Sequence, residues 1–194
     1  RMLREGALVR KDGGLAPVKA DDIVILLRSP GSVGGQYKRA LEAKGIRCNT
    51  GSGTGMLQAE EIATLRSLLQ VIVNPRQDIP LVSVLVSPVF GFSADDLASL
   101  RCRHKKGSIY DALLSWDVPK ALHFRRTLEA LRRESGVRSL TKLLERCICL
   151  TKLDSIYSAM PDGEVKRNNI HIFFKLASDF EAGMPRDLLQ FLEH

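Results

Sequence analysis

Arg28 and Ser29 stand where an apolar run, Ile23 to Leu27, gives way to a turn. A planar guanidinium beside a hydroxyl is a donor set suited to a phosphate. A second candidate is Gly53-Thr54-Gly55, whose glycines would let a nucleic-acid backbone approach the main chain closely. A third begins at Gly91-Phe92-Ser93 and runs through a helical segment to Arg101, Arg103, His104, Lys105 and Lys106, the densest basic cluster in the chain. Turn N–H groups at a helix start, with cations nearby, can hold a duplex backbone. Each candidate has a plainer reading as well. Arg28 could pair with Asp21, Asp22 or Glu42, Thr54 could belong to an ordinary turn, and cations at a helix end satisfy the helix dipole.

The motifs of several self-contained enzymes are missing. The chain holds no G-x-x-x-x-G-K-[ST] loop, no paired acidic box, no H-E-x-x-H and no G-x-S-x-G elbow. No acidic residue follows Gly51-Ser52-Gly53-Thr54-Gly55 in the way a dinucleotide fingerprint requires. The expectation is a binding segment with no active site or cofactor of its own. Lysine and arginine exceed aspartate and glutamate by 29 to 22, a net charge of +7, which favours a polyanionic partner. Cys48, Cys102, Cys147 and Cys149 are expected as buried free thiols, with the C-x-C pair pointing to different sides of a helix. No apolar run approaches the roughly 20 residues that span a bilayer, so a soluble, cytoplasmic protein is expected, with no membrane partner. An arginine ahead of the first methionine suggests a piece of something longer, and Leu192-Glu193-His194 reads equally as native helix or as a tag remnant.

The elements that must position these residues fall into two parts. Asp12-Gly13-Gly14 signals a hairpin between Ala7-Leu8-Val9 and Leu15 to Val18. Ile23 to Leu27 has the composition of a strand buried on both faces, followed by a glycine-rich turn. A helix over Gln36 to Lys44, with Tyr37, Ala40 and Leu41 inward, would stop at Gly45, and Ile46 to Asn49 would be a second strand. Ile62, Leu65, Leu68, Leu69 and Ile72 form one stripe of a long helix whose Glu60, Glu61, Arg66 and Gln70 face away. Asn74-Pro75 ends that helix and divides the chain into 1–74 and 75–194. Eight helices are expected beyond it, at Ile79 to Val86, Ala94 to Arg103, Ile109 to Ser115, Lys120 to Arg133, Leu140 to Leu150, Leu153 to Met160, Glu164 to Glu181, and Arg186 onward. Ser93 with Asp96, and Asp162, are candidate caps. Trp116, Phe124, Phe173, Phe174 and Phe180 recur at helical intervals among leucines and read as core. The fold class is an α/β piece followed by a mainly α-helical subdomain, helix-rich overall.

An ordered series of motifs carries a resemblance. Asp22-Ile23-Val24-Ile25-Leu26-Leu27-Arg28-Ser29, Leu41-Glu42-Ala43-Lys44-Gly45-Ile46, Thr54-Gly55 with Glu60-Glu61-Ile62, Leu68 through Leu81 with Asn74-Pro75-Arg76-Gln77-Asp78-Ile79-Pro80 inside it, and Ser87-Pro88-Val89-Phe90-Gly91-Phe92 resemble the A subunits of AddAB-type ATP-dependent helicase/nucleases. These are superfamily 1, UvrD-like enzymes that process double-strand DNA breaks. The resemblance implies that 1–74 is part of the RecA-like domain called 2A, a partial βαβ unit, and that 75–194 belongs to the helical insertion called 2B. It implies a parent that uses ATP and Mg and works with a partner nuclease subunit, the B member of the pair, the ATP-binding loop and nuclease residues lying outside this chain. By the same resemblance Arg28 and Ser29 fall at the helicase cleft, Gly53, Thr54 and Gly55 near a single-stranded DNA track, and Gly91 and Ser93 where related domains touch duplex. The chain itself would guide DNA or, alternatively, serve as an interaction or regulatory module that docks the partner nuclease subunit.

Overall fold

A computed structural model describes residues 5–11, 13–28, 30–46, 48, 56–183 and 188–193. Contacts divide the chain into two compact units, Arg1–Gly55 and Met56–His194.

The first unit opens with the expected hairpin. Strands β1 (Leu8–Lys11) and β2 (Gly14–Pro17) pair antiparallel, with Leu8 opposite Pro17 and Lys11 opposite Gly14. A 3-10 turn at Ala20–Asp22 follows, held by Lys11 Nζ at 2.5 Å from Asp22 Oδ1 and by the Lys19 N–H at 2.9 Å from Asp22 Oδ2. These contacts, the Lys11 bond foremost, hold the Asp22 carboxyl below its ordinary range. Ile23–Leu27 departs from expectation. The run is in no strand, and Val24 and Leu26 are 77% and 91% exposed. A strand buried on both faces needs neighbours on each side, and among the described residues the unit's only ladder is the hairpin. Of Ile46 to Asn49, Ile46 and Cys48 are described, and neither is in a strand. The glycine-rich segment expected as a turn is instead the start of α1 (Pro30–Glu42), with proline at the helix start where its missing N–H costs least. The face expected inward is open: Tyr37 and Ala40 are exposed. Gly45 does stop the helix, its N–H bonding to Glu42 O at 2.9 Å and that of Ile46 to Leu41 O at 3.0 Å, the paired bonds of a Schellman ending.

The second unit is a helical cluster around α2 (Glu60–Val73). Every residue of the predicted stripe is buried, and Asn74 closes the helix with its N–H on Gln70 O. The helix packs against α3 (Asp78–Val86), α6 (Pro119–Ser135), α9 (Gly163–Gly183) and α10 (Leu188–Glu193). By contacts it therefore belongs with the helices that follow it, and the division between compact units falls before it, at Gly55, while Asn74-Pro75 is a bend inside the second unit. Glu61 is a correction to the expected outer face. It is 1% exposed, and its Oε1 accepts Asn169 Nδ2 at 2.6 Å while Lys166 Nζ lies 3.5 Å from Oε2. Beside it the Thr64 and Tyr157 hydroxyls share a buried hydrogen bond of 2.8 Å.

The remaining helices are α4 (Ala94–Arg103), α5 (Ile109–Leu114), α7 (Leu140–Thr151) and α8 (Leu153–Ser158), so each of the eight expected segments contains a helix. Ser93 and Asp96 form the expected capping box of α4. Asp162 precedes α9 at φ +58°, its carbonyl taking the Lys166 N–H at 3.0 Å. Glu181 of α9 reaches the start of α7, where its Oε2 accepts the Thr141 N–H at 3.0 Å and the Thr141 hydroxyl. Trp116, Phe124 and Phe173 are buried as expected, and Phe174 and Phe180 pack on the core. The Trp116 ring lies 6.1 Å from that of Phe92. Of the thiols only Cys147 is buried; Cys102 and Cys149 are exposed and Cys48 is intermediate. The C-x-C pair does point to different sides, because two residues turn a helix by about 200°.

Candidate nucleic-acid interface

Asp78, the first residue of α3, organises the basic region at the end of α4. Its Oδ1 accepts the Ile109 N–H at 2.9 Å and its Oδ2 accepts Arg101 Nη2 at 3.3 Å. Arg101 Nη1 donates to the Gly107 carbonyl at 2.9 Å, and His104 Nε2 lies 3.2 Å from Ser115 Oγ. Ser108 caps α5: its Oγ accepts the Asp111 N–H at 3.2 Å and donates to Asp111 Oδ2 at 2.7 Å. Arg76 Nη2 donates to Asp111 Oδ1 at 3.0 Å. The Ser108 hydroxyl, and then Arg76, hold the Asp111 carboxyl below its ordinary range. The loop 104–108 is thus tied down on both sides. Arg103 at the end of α4 and Lys105 and Lys106 in the loop are all exposed, and no ion pair engages them among the described residues.

Gly91 and Ser93 are committed differently. Gly91 sits at φ +62°, which favours glycine, and its carbonyl takes Lys120 Nζ at 2.8 Å. The N–H groups of Gly91, Phe92 and Ser93 go to Ser87 O, Leu85 O and Asp96 Oδ2, at 2.8, 2.9 and 2.9 Å. Lys120 also meets Asp96 Oδ2 at 3.1 Å and lies 5.9 Å from the Phe92 ring centroid. The Ser93 N–H, then Lys120, keep Asp96 ionised below its ordinary range. All three turn donors are spent inside the protein, and Asp95 and Asp96 place negative charge in the first turn. What the turn supplies is a fixed start for α4.

Arg28 is exposed at the bend that follows Leu27. Two of the carboxylates that could have taken it are engaged elsewhere, Asp22 by Lys11 and Glu42 by Lys38 at 3.8 Å. Ser29, Gly53, Thr54 and Gly55 lie outside the described residues. The charge excess is uneven: residues 1–55 carry ten lysines and arginines against five acids, and residues 56–194 carry 19 against 17. Sequence reasoning missed the carboxylates that hold the basic loop. The spacing Ser108-x-x-Asp111 repeats that of Ser93-x-x-Asp96 and was the available signal.

A half-open cleft of about 430 Å³ lies between α7, α8 and α9, with Ile148, Ile170 and Phe174 among its walls and Glu145, Asp154 and Arg167 supplying charge of both signs. It contains none of the predicted residues. Among the described residues no three His, Cys, Asp or Glu side chains converge as a metal site, and no helix is long and apolar enough to cross a membrane.

The chain is 37% identical over 182 residues to a protein of Acetivibrio thermocellus described as the A subunit of an ATP-dependent helicase/nuclease, a match covering 90% of this chain. Proteins of the same description from Desulforamulus reducens and Bacillus anthracis are 36% and 33% identical, over 93% and 94% of the chain. The chain resembles one segment of the A subunit of ATP-dependent helicase/nucleases. That segment is 14%, 15% and 16% of these three relatives, so the chain spans about one-seventh of their length. No protein-family model matches it. The matched region includes both compact units, because nine-tenths of the chain cannot be drawn from either alone.

Proposed function

We propose that this chain is a DNA-guiding segment of an ATP-dependent DNA helicase/nuclease that acts in double-strand break repair and recombination. The observation that carries the reading is the basic segment where α4 ends and the loop 104–108 begins, in which Arg103, Lys105 and Lys106 are exposed and have no carboxylate partner among the described residues, on a scaffold tied by Asp78 and Ser108. A loop whose backbone is already held saves backbone ordering when its cations meet phosphates, and phosphate contacts do not read bases. Arg28 would add a contact from the first unit. On this reading residues 1–74 begin a RecA-like 2A segment and 75–194 form the helical 2B-like insertion. The exposed, ladderless run Ile23–Leu27 supports it, as a strand whose sheet partners come from elsewhere in the parent. On the same reading ATP and Mg would be bound elsewhere in a cytoplasmic parent; this sequence carries no G-x-x-x-x-G-K-[ST] loop.

Salt dependence tests the reading. Three phosphate contacts on duplex give a slope of log K against log salt of about −2.7, a loss of roughly 40-fold between 50 and 200 mM. Replacing Arg103, Lys105 and Lys106 together by glutamine should abolish that slope contribution. A purified chain that binds neither single-stranded nor duplex DNA at low salt would sink the proposal. A second reading, docking of a partner nuclease subunit, is favoured by α3. It is apolar on both sides, with Leu81, Val84 and Leu85 buried and Ile79 87% exposed, the pattern of a helix covered in a larger assembly. Co-sedimentation with the purified partner, lost on Ile79→Lys, is the result expected of that reading.

A further inference from the structure

Two arginines beside the basic loop, Arg76 and Arg101, are each paired with a carboxylate that is itself exposed. Lys120, itself 51% exposed, is held by three groups at once, Asp96, the Gly91 carbonyl and the Phe92 ring, and Arg125, one-fifth exposed, by Asp117 and the Leu114 carbonyl. Arg76 and Asp111 are 64% and 39% exposed, and Arg101 and Asp78 are 46% and 37% exposed. Exposed pairs are screened by water and contribute little, so exchanging the carboxylate for another anion costs little. Arg101 can make that exchange while keeping its place, because Nη1 stays on the Gly107 carbonyl as Nη2 leaves Asp78. Asp78 would retain the Ile109 N–H and Asp111 would retain Ser108. We infer that Arg76 and Arg101 are reserve phosphate ligands masked by Asp111 and Asp78, and that these two carboxylates set the strength of the loop's grip on a polyanion. The inference rests on the DNA-guiding reading and extends it from three contacts to five, with a built-in restraint.

The test titrates the 194-residue chain and its variants with a fluorescein-labelled duplex of about 30 base pairs across a salt series. Arg76→Gln and Arg101→Gln should each flatten the slope by about 0.9. Asp78→Asn and Asp111→Asn, which keep an oxygen acceptor for Ile109 N–H and the Ser108 hydroxyl, should each tighten binding roughly two- to fivefold, the release of one exposed ion pair. Arg101→Lys should preserve the slope, which separates loss of charge from loosening of the loop. If Asp78→Asn disturbs the fold, the Arg76 and Asp111 variants report the same exchange independently. Binding whose slope depends on Arg103, Lys105 and Lys106 but is unmoved by all four single neutralisations overturns the masking while leaving the DNA reading intact. Absence of binding by the parent chain at low salt overturns both.

Discussion

At Gly163 the first turn of α9 passes so close to the end of α8 that a Cβ placed there would lie 1.9 Å from the Ser158 carbonyl oxygen. The obstacle is backbone, which cannot rotate aside as a side chain can. Gly163→Ala should cost about 1–3 kcal/mol or more, read as a lower urea midpoint at unchanged slope. Cys147 makes a different kind of statement about the interior. Burial, reinforced by the Glu134 carboxylate, pushes its thiol from 9.0 up to about 12. A group whose folded value is raised contributes stability that is full below the unfolded value and is lost as pH rises through the folded one. The helical unit should therefore weaken between pH 9.0 and about 12. Tyr157, raised from 10.0 to about 12 by burial, adds to the same window. Thermal midpoints across that range should fall less steeply in Cys147→Ala than in the parent, although the variant starts lower because it leaves a cavity.

Among elements, the contact that fixes α2 against α9 is polar and deeply placed. Removing the Glu61 carboxylate strands the Asn169 amide and leaves Lys166, one-fifth exposed, with Glu60 at 3.7 Å and the Tyr157 ring centroid at 5.5 Å. Glu61→Ala should cost about 3 kcal/mol, and a double-mutant cycle with Asn169→Ala should return a coupling of about 0.5–3 kcal/mol. This pin also marks what the sequence could disclose. The α2 stripe, the capping box at Ser93 and the helices after Pro75 follow from local periodicity and cap chemistry, and they were legible. Glu61 was not, since its partner is 108 residues away and a charged residue beside an apolar stripe ordinarily faces water. The same holds for Asp78: nothing local to Gln77-Asp78-Ile79 announces a bond to Ile109, 31 residues on. Ile23–Leu27 fails for the opposite reason. Its composition is that of a central strand, but a strand is completed by neighbours that sequence pattern alone cannot supply.

For the molecule as a whole, two compact units divide the charge unequally, and the smaller one carries most of the excess. The basic loop of the second unit works against a nearly balanced background, so its effect comes from local arrangement more than from net charge, and salt should act on it over about a Debye length, roughly 10 Å at 0.1 M. The candidate site was half legible for that reason. A run of cations is visible in a sequence, whereas the carboxylates that hold or mask them come from other helices. The lone tryptophan of the chain, Trp116, is buried beside Phe92, beneath the turn that starts α4. Its emission is therefore a native optical label for the helical unit, sensitive to loosening around the basic loop, while the first 55 residues are spectroscopically dark in the same channel. A single fluorescence trace of unfolding would describe one unit and be silent on the other.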